Sequence, residues 1–334
     1  MIIDAHSHGI HGDYLDRLAG AGGEWVSKNL NRLLGPQRER MPHAHNVALR
    51  LEQLDRNAIA KQVVTPISSL DSNLCPGDVK AKLVYAGIMN DGMARLMDDS
   101  KGRLLACGTI PLEGFETDGW REMKRAVEIL GIKAVSVPTH VNGKALDEPA
   151  FESFWDRATE LKIPVYIHPQ NPIAFSDRPY EAEYRLYHTF GWPYETELAL
   201  SRLVFSGIME RHPSLNVVSH HLGGGLPFLM GRVIETYGES SQERLIGRVR
   251  SQNLFEYFSR FYYDTAVGGN TAAIRCACEI FGAGQLVFAT DAPFGPGGGE
   301  KRLASYPQAI RSLGLSEEEN RKILFDNARN LFDL

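Results

Sequence analysis

Four short segments, spread over most of the chain, place side chains that bind divalent cations directly where an apolar run ends. They are Asp4-Ala5-His6-Ser7-His8, Ile167-His168-Pro169, Ser219-His220-His221-Leu222-Gly223 and Thr290-Asp291-Ala292-Pro293. Imidazole and carboxylate groups together suit zinc, with manganese and iron as alternatives. A catalytic ion of this kind keeps one coordination position open for water or substrate. We therefore predict a divalent metal site formed by His6, His8, His168 and Asp291.

The spacing within the first segment supports this prediction. Side chains alternate between the two faces of a strand, so His6 and His8 point to the same side and can bind one ion, while Ser7 faces away. A lone histidine at a strand end is usually a polar residue with a structural partner. Four metal-binding groups at corresponding strand ends instead favour a site, because convergent polar groups in a pocket mark one.

His220 and His221 are adjacent, so on a strand they would point to opposite faces and only one would face the site. His221 leads into a glycine-rich stretch that lets the backbone approach a ligand closely. We predict that His221 is the catalytic acid or base, since an unligated imidazole has a pKa of about 6.5. Asp291 would share proton transfer with it, and His220 would support the substrate side of the site. Asp264, at another strand end, is predicted either to orient a ligand or to cap the next segment.

The elements that position these residues alternate between short β-rich runs and longer segments of helical period, which is typical of repeated strand-helix units around a parallel sheet. The expected strands are 2–6, 61–66, 105–110, 133–138, 164–168, 216–221, 261–265 and 286–290. Reactive groups of α/β barrels lie at the C-terminal ends of the strands. We predict an α/β fold, a (β/α)8 TIM barrel, in a single domain covering residues 1–334.

Two long loop insertions interrupt the pattern, at 9–48 after the first strand and at 171–193 after the fifth. Both are expected to cover the substrate. The second is rich in aromatic residues, and we assign one of them, Trp192, to substrate binding. A glycine-rich stretch at 295–299 lacks the Lys-Ser/Thr of a phosphate-binding P-loop and is predicted to be a flexible rim.

Bulk composition excludes several classes of function. The chain has 36 Lys plus Arg against 41 Asp plus Glu and no run of like charge, so we expect no nucleic-acid partner. Its first residues already resemble a strand, and no apolar stretch has the length of a signal peptide or membrane span. Four cysteines are too few to staple a chain of this length, which suits a reducing compartment. The expectation is a cytoplasmic protein without a membrane partner.

With these motifs, the chain resembles the amidohydrolase superfamily, and within it the branch of aminocarboxymuconate semialdehyde decarboxylase and related aromatic-acid decarboxylases. The likeness is most specific from Gly191-Trp192-Pro193 through His221-Leu222-Gly223-Gly224-Gly225 to Gly231-Arg232. It implies that His6, His8, His168 and Asp291 bind zinc or a similar ion, and that His221 contacts a metal-bound water. It also implies that Arg232 holds a substrate carboxylate, across the boundary of a homodimer.

Some features depart from the family or align loosely with it. Thr290 and Ala292 stand where the family has serine and tyrosine, which leaves the substrate open. An arginine near Arg38 or Arg40 would match a further carboxylate-binding position. The fourth strand lacks the lysine that bridges two metals in binuclear members, so a single ion is predicted.

The resemblance and the residues together favour a metal-dependent, non-oxidative decarboxylase acting on an aromatic or unsaturated carboxylic acid. Two alternatives stay open. The same ion could activate water to hydrolyse a lactone, amide or ester, or to hydrate an unsaturated acid. A barrel that binds a metal or ligand without turnover is the non-enzymatic alternative.

Overall fold

A ring of eight parallel strands forms the centre of the molecule. The structure, a computed structural model, describes residues 1–38, 41–67, 70–170, 183–238 and 253–334. In chain order the strands are β1 (Ile3–His8), β2 (Lys61–Thr65), β3 (Leu104–Thr109), β4 (Ala134–Pro138), β5 (Val165–His168), β6 (Val217–Ser219), β7 (Tyr262–Asp264) and β8 (Leu286–Val287). Each strand pairs with the next in sequence. The predicted TIM barrel is confirmed.

Backbone contacts between β1 and the segment that follows β8 close the ring. Ala5 N donates to Phe288 O at 2.7 Å, and Ser7 forms a parallel bridge with Ala292. Asp291 N also donates to the carbonyl of His6 at 3.0 Å. These bonds lie at the C-terminal ends of the two strands, and so they bring Asp291 beside the histidines of β1.

The strands are apolar because both of their faces are covered. Every residue of β3 and β4 is buried, as a parallel sheet surrounded by helices requires. The surrounding helices are α1 (Leu15–Arg38), α2 (Val47–Arg56), α3 (Val79–Asp99), α4 (Trp120–Lys124), α5 (Glu152–Glu160), α6 (Trp192–Phe205), α7 (Ile208–Arg211), α8 (Leu226–Gly238), α9 (Leu254–Phe258), α10 (Thr271–Phe281), α11 (Glu300–Arg311), α12 (Glu317–Arg321) and α13 (Asn327–Leu331). Residues 140–141 and 144–145 add a small hairpin after β4.

The first predicted insertion is not a loop, because most of it is the helix α1. Leu15, Leu18 and Val26 are buried on one side of this helix, at helical spacing, and join the main core. The expectation of a long loop over 9–48 was therefore wrong in kind. In the second insertion, residues 171–182 lie outside the described part of the chain, and 183–193 form helical turns that lead into α6.

Within the described ranges, no helix is both long enough and apolar enough to cross a lipid bilayer.

Candidate active site

The C-terminal ends of β1, β5 and β8 bring four of the predicted ligands together. His6 Nε2 lies 3.0 Å from His8 Nε2, and His8 Nε2 lies 3.3 Å from Asp291 Oδ1. The His168 ring lies 5.0 Å from the His8 ring, centroid to centroid. Ligand atoms of His6, His8 and His168 all fall within 4.8 Å of one another, a spacing that can hold a metal ion.

The three imidazoles share one hydrogen-bonding arrangement. His6 Nδ1 lies 2.7 Å from Asp264 Oδ2, His8 Nδ1 lies 3.2 Å from the carbonyl of Pro66, and His168 Nδ1 lies 2.7 Å from the carbonyl of Pro169. A carboxylate or carbonyl oxygen only accepts, so each Nδ1 carries the proton and each Nε2 is left as a lone pair. Two such lone pairs, on His6 and His8, face each other at 3.0 Å. Two nitrogen lone pairs at this distance can bind one cation together.

Burial keeps the rings of His6 and His168 neutral. It lowers the pKa of His6 well below its usual value, and the charge of His8 would lower it further. Burial likewise lowers the pKa of His168. For Asp291, burial opposes ionisation, but its contact with His8 and the nearby imidazoles outweigh burial and hold the pKa well below its usual range. The cluster thus combines neutral nitrogen donors with an ionised carboxylate, which is the protonation state that a divalent ion requires.

Asp291 reaches the cluster because the backbone turns sharply after β8. The residue has a φ of 58°, in the left-handed region that costs a side-chain-bearing residue free energy and that occurs often at functional sites. Arg302 Nη1 donates to the carbonyls of Thr290 and Asp291 and, at 2.8 Å, to Asp291 Oδ2. One carboxylate oxygen is therefore held by Arg302, and the other faces His8.

Asp264 both orients a predicted ligand and caps backbone amides, which were the two alternatives that the sequence left open. Its Oδ2 accepts from His6 Nδ1, and its Oδ1 accepts from the backbone N–H of His221 at 2.8 Å and of Ala266 at 3.0 Å. The fully buried carboxylate thus orients one predicted ligand and caps two loop amides. Asp4 lies deeper and accepts from the Gln62 amide and the Thr290 hydroxyl, and burial raises its pKa to about 6.

The prediction for the adjacent histidines was wrong in one respect, because both rings lie at the cluster. β6 ends at Ser219, and His221 adopts a φ of 52°, so the strand alternation does not extend to these two residues. The His220 ring is fully buried, 3.8 Å from that of His6. The His221 ring is half-buried and 5.9 Å from the rings of both His6 and His168. One nitrogen of His221 lies within 4.8 Å of ligand atoms on His6 and Asp291.

Known proteins resemble this chain over most of its length. The family model described as Amidohydrolase matches residues 3–334. The chain belongs to this family. It is 28% identical to gamma-resorcylate decarboxylase of Rhizobium radiobacter over 327 residues, covering 93% of the chain and 91% of that relative. It is also 28% identical to 2-amino-3-carboxymuconate-6-semialdehyde decarboxylase of Dictyostelium discoideum over 247 residues, covering 74% of the chain and 66% of that relative.

Solved structures share the fold. One is dihydroxybenzoic acid decarboxylase from Polaromonas sp. JS666, with bound manganese and the inhibitor 2-nitroresorcinol. It superposes on this amidohydrolase with a TM-score of 0.81 and 22% sequence identity, and the match covers 100% of the chain and 97% of that structure.

The rim of the amidohydrolase site contains one predicted substrate contact and several residues that the sequence did not single out. Trp192 lies edge-on to His168, with ring centroids 5.8 Å apart, and packs at a tilt against the ring of His188, with centroids 3.9 Å apart. Phe294 lies 5.3 Å from the His8 ring. His188 and Phe294 carried no spacing signal, although Phe294 follows Asp291 by only three residues.

Arg232 does not join the cluster within one chain. It lies on α8 and is exposed, as are its helix neighbours Phe228 and Ile234. The candidate carboxylate-binding residue Arg40 lies outside the described residues, as does the side chain of Arg38.

Proposed function

We propose that this amidohydrolase is a divalent-metal-dependent, non-oxidative decarboxylase of aromatic carboxylic acids. The observation that carries the proposal is the cluster of His6, His8 and His168, whose ligand atoms lie within 4.8 Å of one another. The Asp291 carboxylate lies 3.3 Å from His8 Nε2, and a nitrogen of the half-buried His221 lies within 4.8 Å of His6 and Asp291. The decarboxylases among its relatives support the reaction type, since they are related over most of the chain.

The residues present fit a single ion. His6, His8, His168 and Asp291 would hold it, and their Nδ1 partners already orient the rings for that purpose. Three imidazoles and one carboxylate favour zinc on donor chemistry, whereas the related Polaromonas structure contains manganese. We propose zinc, with manganese as the direct competitor. Elemental analysis of untagged protein decides between them, and a manganese-filled site with full activity would overturn the choice of zinc.

In this proposal the protein supplies positioning and one proton. A bound ion would supply Lewis acidity toward the negative charge left on the ring as carbon dioxide departs. His221 would deliver a proton to the ring carbon that loses its carboxylate. Its nitrogen within 4.8 Å of ligand atoms on His6 and Asp291 supports this role. The bond to carbon dioxide breaks, a C–H bond forms, and no oxidant is consumed. The Trp192 ring, beside His168, forms an apolar wall for an aromatic substrate.

The test is a substrate panel on metal-loaded protein. Hydroxybenzoates and carboxymuconate semialdehydes are compared with lactones, amides and esters, and carbon dioxide release is measured with product formation. We expect carbon dioxide in equal amount to the decarboxylated product. Hydrolysis without carbon dioxide release from any acid would overturn the proposal.

We further propose that a second copy of the chain covers the outer face of α8 and brings Arg232 to the neighbouring site. Phe228 is 83% exposed on this face, an unusual exposure for a large apolar side chain beside an arginine. A guanidinium suits bidentate binding of a substrate carboxylate. Phe228→Glu should yield a monomer in sedimentation velocity and raise KM. A wild-type protein that sediments as a monomer while fully active would contradict this assignment.

A further inference from the structure

A cavity of about 350 Å³ lies between the loop that follows β7 and the loop that follows β8, next to the metal-binding cluster but outside it. We call it the rim pocket, lined among others by Gly268, Gly269, Gly295, Lys301, Arg302 and Tyr306. The glycine-rich stretch 295–299 thus forms part of a wall, a role that its sequence did not indicate.

The charge of the rim pocket is positive. Lys301 and Arg302 line it, and none of its described lining residues is acidic. Lys301 is exposed and makes no ion pair with any described residue. Arg302 uses Nη1 for the Asp291 segment, while its Nε and Nη2 donate to no described residue. Two cationic side chains therefore retain unused donors at one cavity.

Glycine backbone shapes the opposite wall. Gly268 and Gly269 have φ values of 69° and 73°, and Gly295 has a φ of 98°, conformations that residues with a Cβ rarely adopt. A Cβ on Gly269 would lie 3.2 Å from the Tyr306 ring, and one on Gly295 would lie 3.4 Å from Arg302 Nε. The N–H groups of Gly268 and Gly269 donate no hydrogen bond within the described ranges. Side chains at these positions would crowd the cavity.

We propose that the rim pocket binds a phosphate group, as inorganic phosphate or as a phosphate monoester. Two cations and free backbone donors match a doubly charged tetrahedral oxyanion. The loops after the seventh and eighth strands are also where TIM barrels frequently bind phosphate. The rim pocket uses neither the imidazole cluster nor His221, and it adjoins the proposed metal site only through Arg302, whose Nη1 donates to Asp291.

The experiment is a calorimetric titration of inorganic phosphate into metal-loaded protein at low ionic strength. Lys301→Gln should weaken phosphate binding about fivefold, the size of a lost, partly exposed ionic contact. Lys133→Gln is the matched control, because Lys133 is also exposed but directly precedes β4, at the N-terminal end of the strands and away from the rim pocket. The control should bind phosphate as the wild type does, and both variants should keep wild-type turnover and metal content.

Equal phosphate affinity in the wild type and in Lys301→Gln would overturn the proposal, because phosphate would then bind at the metal or nonspecifically. Absence of phosphate binding to the wild type would overturn it as well. A glucose 6-phosphate titration distinguishes the two sources: binding of inorganic phosphate alone indicates a free-ion site, and binding of both indicates a site open to monoesters. Since binding is measured without turnover, the result does not depend on the decarboxylase proposal.

Discussion

His6 lies between two carboxylates, and its two sides differ in nearly every physical respect. On the Nδ1 side, Asp264 is fully buried and its oxygens accept from His6 and from two backbone amides. On the Nε2 side, Asp291 Oδ1 lies 3.9 Å from the ring, and the Asp291 side chain is 19% exposed. Both oxygens of Asp264 accept hydrogen bonds from protein donors, whereas Oδ1 of Asp291 points toward the histidine cluster.

The difference supports assigning orientation of His6 to Asp264 and metal binding to Asp291. A buried carboxylate with several protein donors holds a ring in place and fixes its tautomer. A rim carboxylate beside three lone-pair nitrogens has coordination capacity to offer an ion. Amino-acid type alone does not separate these roles, since both residues are aspartates at strand ends. The following predictions test this division, from the largest effect to the smallest.

Asp291→Asn should abolish metal retention and lower turnover by about 10³-fold or more, because the several kcal/mol that a bound cation contributes to charge stabilisation are lost. Metal content by elemental analysis and initial rates provide the measurement. Asp333→Asn is a matched control: Asp333 is exposed near the C-terminus, has a φ of 50° like the left-handed Asp291, and should leave both quantities unchanged. Full metal content in Asp291→Asn would contradict the assignment of Asp291 as the metal-binding carboxylate.

His221→Asn should retain the metal and lower kcat by about 10²-fold, the usual contribution of a positioned acid or base. The His221 ring is half-buried at the rim, so the polar replacement fits. Elemental analysis and steady-state kinetics on the same preparation separate the two quantities. A parallel loss of metal would instead place His221 among the ligands.

Asp264→Asn should weaken metal affinity about 10- to 100-fold, the range for residues that orient ligands. The amide accepts with one oxygen only, so His6 loses part of its orientation. Asp4→Asn is the appropriate comparison, because Asp4 is an equally buried carboxylate whose partners are not ligand side chains. Chelator competition should rank Asp4→Asn closer to wild type. The reverse order would show that general loss of buried charge, not orientation of His6, controls affinity.

Arg302→Gln should have the smallest effect, a change of less than about tenfold in metal affinity. Its pairing with Asp291 Oδ2 is partly exposed, and such pairs contribute about 1 kcal/mol or less. Loss of the cation leaves more negative charge on Asp291, so the affinity should rise. Competition with a chelator measures it, and a large fall would mean that Arg302 positions Asp291 through the backbone carbonyls it also binds.

Much of this architecture could be predicted because strand periodicity is local. The sequence shows one strand-like run that ends in His6 and His8 and another that ends in His168. In a parallel sheet, the C-terminal ends of all strands lie at the same edge. Periodicity fails where the strand stops. His220 and His221 lie beyond β6, in a left-handed turn, and the alternation used to separate them does not operate there. A second difference concerns residues 15–38, which form a helix where the sequence analysis expected a loop.

The order of residues along the chain determined the barrel, the metal-binding residue types and the strand ends that present them, since these depend on the pattern of apolar and polar side chains. Only the tertiary structure determined that Asp264 accepts a hydrogen bond from His6 Nδ1. The same is true of the hydrogen bond from Arg302 to Asp291 Oδ2 and of the contact between the Trp192 and His168 rings. Those contacts join residues far apart in sequence. Their distances depend on how the ring of strands closes and how each loop turns, which no local spacing encodes.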